Sequence, residues 1–113
     1  MKKEIIKSLL NNIEEEEITT LEVVNNQRIR INDNIYWILD NEEANQEFFN
    51  YHRDLFNDLG ENDYKKIFDI ECDINDLDET IWEIMTYEGR GCLSAYDGEE
   101  IYLDNDYFAY IIE

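Results

Sequence analysis

Hydrolytic chemistry by a nucleophile needs an activating base and a group that orients it, and this chain offers few residues for those roles. It has one histidine, His52, two serines, Ser8 and Ser94, and two cysteines, Cys72 and Cys92. The cysteines lie far apart and outside any C-x-x-C, which reads as two free thiols instead of a disulfide framework or a zinc site. His52 falls beside the apolar face of a helical pattern, the setting of a half-buried structural histidine. Carboxylate pairs could serve glycoside hydrolysis, but with 29 acids in the chain a pair at any given spacing is expected by chance. A calcium loop starting at Asp73 fails: Leu77 falls where an oxygen ligand belongs, Asp78 where glycine is needed, and Ile84 replaces the bidentate acid at the loop's end. Gly89-Arg90-Gly91 lacks the spacing and the lysine of a phosphate loop, and reads as a tight helix-to-strand turn that displays Arg90 as a candidate contact. The residues therefore point away from an enzyme and imply no metal and no cofactor.

What remains is charge. Against the 29 acids stand nine lysines and arginines, a formal net charge of −20, and the imbalance is uneven: residues 1–30 carry five cations and six acids, residues 31–113 four cations and 23 acids. Solubility of a small domain needs a net charge of only about 2–8. Such an excess repels nucleic acid and anionic membranes and attracts basic surfaces, with fast association that weakens as salt rises. Glu43, Glu47, Asp54, Asp58 and Glu61 fall within about 60° of one another on one predicted helix, a row roughly 27 Å long. Carboxylates three or four residues apart sit about 5–6 Å from each other, close to the pitch of phosphates along a nucleic-acid strand. Asp73, Asp76, Asp78 and Glu79 extend the acidic surface at the start of the next helix, where the dipole also favours negative charge.

The elements that position these residues follow from periodicity. Ile5, Ile6, Leu9 and Leu10 give Lys2 to Asn12 the rhythm of an amphipathic helix, and Glu14 to Glu17 read as a solvated helix end or loop. The period then changes to two over Leu21 and Val23, Ile29 and Ile31, and Ile35, Trp37 and Leu39, with Asn25-Asn26 and Asp33-Asn34 as turns: a three-stranded antiparallel meander over residues 19–39. Asp40-Asn41-Glu42-Glu43 has the form of a capping box, opening a helix whose buried face is Ala44, Phe48, Tyr51, Leu55 and Leu59 and which ends at Gly60. Tyr64 to Ile70 fits a short helical turn. Asp76 to Glu79 repeats the capping signal before a third helix through Ile81, Trp82, Ile84 and Met85, which Gly89 and Gly91 end. Leu93 to Tyr96, Ile101 to Leu103 and Tyr107 to Ile112 read as strands. At 113 residues this is one domain, 1–113, of α+β class: an antiparallel sheet of an N-terminal meander plus C-terminal hairpin strands, with about three helices packed on one face. No run approaches the roughly 20 apolar residues of a membrane span, and no apolar signal core follows the Met-Lys-Lys start, so the expected location is the cytoplasm.

Two segments carry a resemblance. Tyr36-Trp37-Ile38-Leu39-Asp40-Asn41-Glu42-Glu43-Ala44 is similar to a strand ending in V-L-T-D-x-E-A that runs into an aromatic-rich helix. Gly89-Arg90-Gly91-Cys92-Leu93-Ser94-Ala95-Tyr96-Asp97-Gly98-Glu99 is similar to G-R-G-H-F-L-S-x-Y-D-G-x-E before a Y-Y-I-Y-R ending, here Tyr107 to Ile111. Together they resemble a family of small, largely uncharacterised phage-type proteins. The departure is at Cys92, where His-Phe is shortened to one residue, so any role of that histidine is absent. The resemblance implies a phage or mobile-element setting inside a bacterial host and leaves Gly89 to Glu99 as either a structural hairpin, the favoured reading, or a second contact surface, but it carries no activity over. With the charge, it leads to an expected anti-defence inhibitor, anti-CRISPR or antirestriction. Such a protein binds the basic channel of a host nucleic-acid enzyme, a CRISPR effector or restriction enzyme, without itself binding nucleic acid. The alternatives are an interaction or regulatory module that docks through aromatic residues, and a structural or assembly protein of a phage particle.

Overall fold

The computed structural model describes residues 2–13 and 18–113, so the expectation for Glu14 to Glu17 lies outside the described residues. Three strands form the meander: β1 (Leu21–Val23), β2 (Arg28–Ile31) and β3 (Asn34–Asp40). Two more, β4 (Ile101–Leu103) and β5 (Tyr107–Ile111), form the C-terminal hairpin, and β5 inserts beside β3 to give an antiparallel sheet of order β1-β2-β3-β5-β4. The class expected from the sequence is the class observed. The β2–β3 turn sits one residue earlier than the sequence reading: Ile31 pairs Asn34, and Asn32, with φ of 55°, takes the left-handed position. Its side-chain oxygen accepts the backbone N–H of Thr19 at 2.7 Å, which ties the lead into β1 to that turn.

Helices cover both faces of the sheet, not one. In register, Ile29 faces Tyr36, Tyr36 faces Ile111 and Ile38 faces Ala109, so these side chains share one face. α1 (Lys3–Asn11) buries Ile5 and Leu9 against that face, and Asp104 donates its backbone N–H to the buried Ser8 hydroxyl at 3.0 Å. The opposite face presents Leu39 and Tyr110, covered by Ala44 and Leu93. β3 is therefore buried on both sides, which is why Tyr36 and Ile38 are as enclosed as Ile35 and Leu39. α1 makes its main contacts with β4 and the turn after it, at the other edge of the sheet from β1, whose Leu21 and Val23 stay exposed.

The remaining helices build a second core. α2 (Asn41–Leu59) starts on the expected capping box: the Asp40 carboxylate accepts the Glu43 N–H at 2.8 Å and the Glu43 carboxylate accepts the Asp40 N–H at 3.0 Å. Gly60, at φ of 83°, ends it and leads straight into α3 (Glu61–Ile67), which starts earlier than the turn expected at Tyr64 to Ile70. α4 (Leu77–Glu88) is capped by Asp76 and stopped at Gly89. Phe48 of α2, Tyr64 of α3 and Ile81 and Ile84 of α4 form a cluster that contains no strand residue. The consequence is shape. The molecule measures 50 × 25 × 22 Å with a radius of gyration of 16.2 Å, against about 13 Å for a compact chain of this length.

After α4 the chain turns through a 3-10 segment at Gly91–Leu93, and the strand expected over Leu93 to Tyr96 does not form. Ser94 claims the local backbone instead. Its hydroxyl lies 2.9 Å from the Asp97 carboxylate and 3.0 Å from the Ile111 carbonyl, and Asp97 accepts the Glu99 N–H. Gly91 is required by a close crossing: a Cβ there would stand 2.1 Å from the Gly98 carbonyl oxygen. One backbone bond, from Ala95 N–H to the Ile111 carbonyl, is the rung that remains beside β5.

Candidate functional site

The acidic row on α2 is half structural. Glu43 works in the capping box and accepts Gln27 Nε2 at 2.8 Å, and Glu47 is half-buried in a cleft that also holds Lys2, Arg28 and Trp37. Asp54 and Asp58 are exposed and have no hydrogen-bond or ion partner among the described residues. Glu61 leaves the row, because the break at Gly60 makes it the first residue of α3 and the α2 spacing no longer applies. Its side chain is exposed and unpartnered as well.

The second acidic group is joined to the first through α2. Arg53 donates from Nε and Nη2 to the two oxygens of Asp78, each at 3.0 Å, a two-pronged clamp between α2 and α4 with the guanidinium 5.4 Å over the Phe49 ring. Asp78 raises the Arg53 pKa further through that bond. Asp73 pairs with Lys65 at 3.6 Å, Asp76 caps α4 by accepting the Glu79 N–H at 3.3 Å, and the Glu79 side chain has no partner among the described residues. The structure thus brings Asp54, Asp58, Glu61 and Glu79 to the surface of the helical half as free carboxylates, while Glu43, Asp73, Asp76 and Asp78 carry internal roles.

Arg90 sits inside. Only 8 % exposed, it donates from Nε to Glu100 at 2.7 Å and from Nη1 to the Asn41 carbonyl, the Asn41 side chain and the Asn45 side chain at 3.2, 3.0 and 2.9 Å. Its guanidinium lies 4.3 Å from the Phe108 ring centre, and Glu100 also accepts the Tyr110 hydroxyl. Burial, followed by that hydrogen bond, raises the Tyr110 pKa. Arg90 thus pins the start of α2 to the loop after α4, and the residue of the Gly89 to Glu99 segment that stands out at the surface is Tyr96, 68 % exposed.

His52 is more enclosed than the half-buried position read from sequence. It is 1 % exposed, its Nδ1 lies 2.8 Å from the Tyr64 hydroxyl, and the rings of Phe48, Tyr51, Tyr64 and Phe68 surround it. Desolvation lowers its pKa to about 4 and raises that of Tyr64 to about 12. Cys92 shares a cleft of about 240 Å³ with His52; the residue is exposed as a whole, and partial desolvation of its thiol within the cleft raises the thiol pKa. A thiolate–imidazolium pair needs the opposite of both shifts, so the two side chains rest as thiol and neutral imidazole. Both cysteines are free. Ser8 and Ser94 are held by backbone partners, and among the described residues no group of three or more histidine, cysteine or carboxylate side chains is placed to hold a metal ion. No described helix is long and apolar enough to cross a membrane.

The sequence reading missed a cleft of about 290 Å³ between the end of α3 and the outer face of α4. Its signal was the spacing of Thr80, Glu83, Ile84, Tyr87 and Glu88, a second stripe on α4 beside the buried one. Comparison with protein-family models, curated proteins and solved structures gives no match for the chain.

Proposed function

We propose that this chain is a binding protein whose acidic helical half docks into a basic groove of a host nucleic-acid enzyme and inhibits it, as an anti-defence protein of a phage or mobile element does. The observation that carries the reading is the set of unpartnered, exposed carboxylates at Asp54, Asp58, Glu61 and Glu79 on an elongated body of net charge −20. A groove built for phosphates supplies lysines and arginines to match these carboxylates, and the long axis of 50 Å suits a channel better than a flat contact. The phage setting rests on the resemblance of the Tyr36 to Ala44 and Gly89 to Glu99 segments. CRISPR effectors and restriction enzymes are the target classes in view.

The test is affinity capture from nuclease-treated bacterial lysate at low and moderate salt, with added DNA or RNA as competitor. Retention of one nucleic-acid enzyme that is lost with salt and displaced by nucleic acid is the expected result. Retention indifferent to both overturns it. That outcome favours the second reading, a module that docks through aromatics, which draws on the exposure of Trp82, Tyr87, Tyr96 and Tyr102 at 54, 89, 68 and 60 %.

A further inference from the structure

The cleft between α3 and α4 has an apolar floor of Phe68, Ile70 and Ile84 and an acidic rim of Asp69, Glu83 and Glu88, with the exposed Tyr87 ring beside it. Its walls are fixed. Asp69 takes the left-handed conformation at φ of 57° just past α3, and the Ile70 N–H bonds back to the Lys65 carbonyl at 2.9 Å, which locks the turn that carries the first carboxylate. On α4, Glu83 and Tyr87, and likewise Ile84 and Glu88, are one turn apart and therefore side by side. None of the three rim carboxylates has a hydrogen-bond or ion partner among the described residues. No lysine or arginine lines this cleft; it adjoins the one at Lys65 and Lys66, with which it shares Asp69 and Ile70, while Glu83 and Glu88 lie outside the lining of those lysines' cleft.

We propose that this cleft receives an arginine side chain of the partner protein, an inference that rests on the reading above that the partner is basic. The aliphatic stem of an arginine covers Phe68, Ile70 and Ile84 while the guanidinium reaches the rim. A planar fork with five donors can serve two carboxylates at once and lie against the Tyr87 ring, which a compact, strongly hydrated ammonium does less well. The chain itself twice sets a guanidinium against one carboxylate and one ring: Arg53 between Asp78 and Phe49, and Arg90 between Glu100 and Phe108.

The test is titration of the isotopically labelled full chain with hexa-arginine and with hexa-lysine, followed by amide NMR. Hexa-arginine is expected to move the amides of residues 68–72 and 80–88 and to bind about fivefold tighter than hexa-lysine. The triple variant Asp69→Asn, Glu83→Gln, Tyr87→Ala is expected to lose the preference, with about a tenfold loss for hexa-arginine, and all three sites are exposed, so the far-UV spectrum should hold. Equal affinity for both peptides, or shifts confined to α2 around Asp54 and Asp58, overturns the arginine cleft and leaves the acidic-docking reading standing. Cleft shifts as expected, combined with lysate capture indifferent to salt, sink the docking reading alone.

Discussion

Replacing Arg90 by methionine keeps a long apolar stem and deletes the guanidinium, which isolates what the charge holds together. The lost contacts are the bond to Glu100 and the three to Asn41 and Asn45, and three asparagine oxygens and the Glu100 carboxylate are left behind. Removing one member of a buried pair costs about 3–5 kcal/mol because the other charge remains. The Glu100 side chain is 27 % exposed, so water recovers part of its bond, which places the expected loss at the lower end, about 3 kcal/mol. For a domain whose whole stability is about 5–15 kcal/mol that is a large share. With a urea slope of about 2 kcal/mol per molar, the midpoint falls by about 1.5 M, read by far-UV circular dichroism. Adding Glu100→Gln to Arg90→Met removes the stranded charge while keeping an acceptor for Tyr110, so the double variant should recover about half of the loss. A midpoint shift under about 0.3 M for Arg90→Met, or a double variant that is worse than the single one by the full cost of Glu100→Gln, refutes the keystone role.

His52 makes stability depend on pH. Its folded pKa of about 4 lies below the unfolded value of about 6.5, so its contribution is complete above the unfolded value and is lost as pH falls toward the folded one; at pH 5 the loss is about 2 kcal/mol, measured as a narrowing gap between wild type and His52→Phe in urea titrations at pH 7 and 5. Gly91→Ala should cost more than Gly89→Ala, since the first drives a methyl into the Gly98 carbonyl and the second meets only the strain of a positive φ in an extended conformation, about 1–3 kcal/mol; paired thermal melts rank them. Reversing Asp54 and Asp58 to lysine should weaken capture of a basic partner without lowering the melting temperature, whereas Glu43→Lys should lower it by the loss of the capping box, about 1 kcal/mol. Equal melting temperatures for all three would contradict the division between free and structural carboxylates.

Local rules were legible where they acted alone. The Asp40 capping box, the stops at Gly60 and Gly89 and the five strands that form all follow from short-range patterns, and so does the α+β class. Period-two reading gave β3 a buried face through Ile35, Trp37 and Leu39 but not the second, because Tyr36 and Ile38 are closed off by α1, an element about 30 residues away. On α2, Tyr51 was placed inward and is 44 % exposed, while His52 took the interior position because Tyr64 supplies its hydrogen-bond partner. Arg90 was invisible for the same reason: a lone arginine between glycines reads as displayed unless the acceptors at Asn41, Asn45 and Glu100 are known to converge on it. Leu93 to Tyr96 had a strand's composition, and the Ser94 hydroxyl competed successfully for the backbone.

α2 belongs to both cores, with Ala44 in the sheet core and Phe48 one turn later in the helical one. The chain is thus two packing units threaded on one rod, and their opening free energies need not be equal. The helical unit is made by α3, α4 and the second half of α2, is tied on its surface by the Arg53–Asp78 clamp and the longer Lys65–Asp73 pair, and carries the free acids whose mutual repulsion favours opening. Its amides should exchange with solvent as a group and ahead of those in β3 and β5. A basic partner that neutralises those acids then acts as a brace, slowing exchange in the helical unit far more than in the sheet.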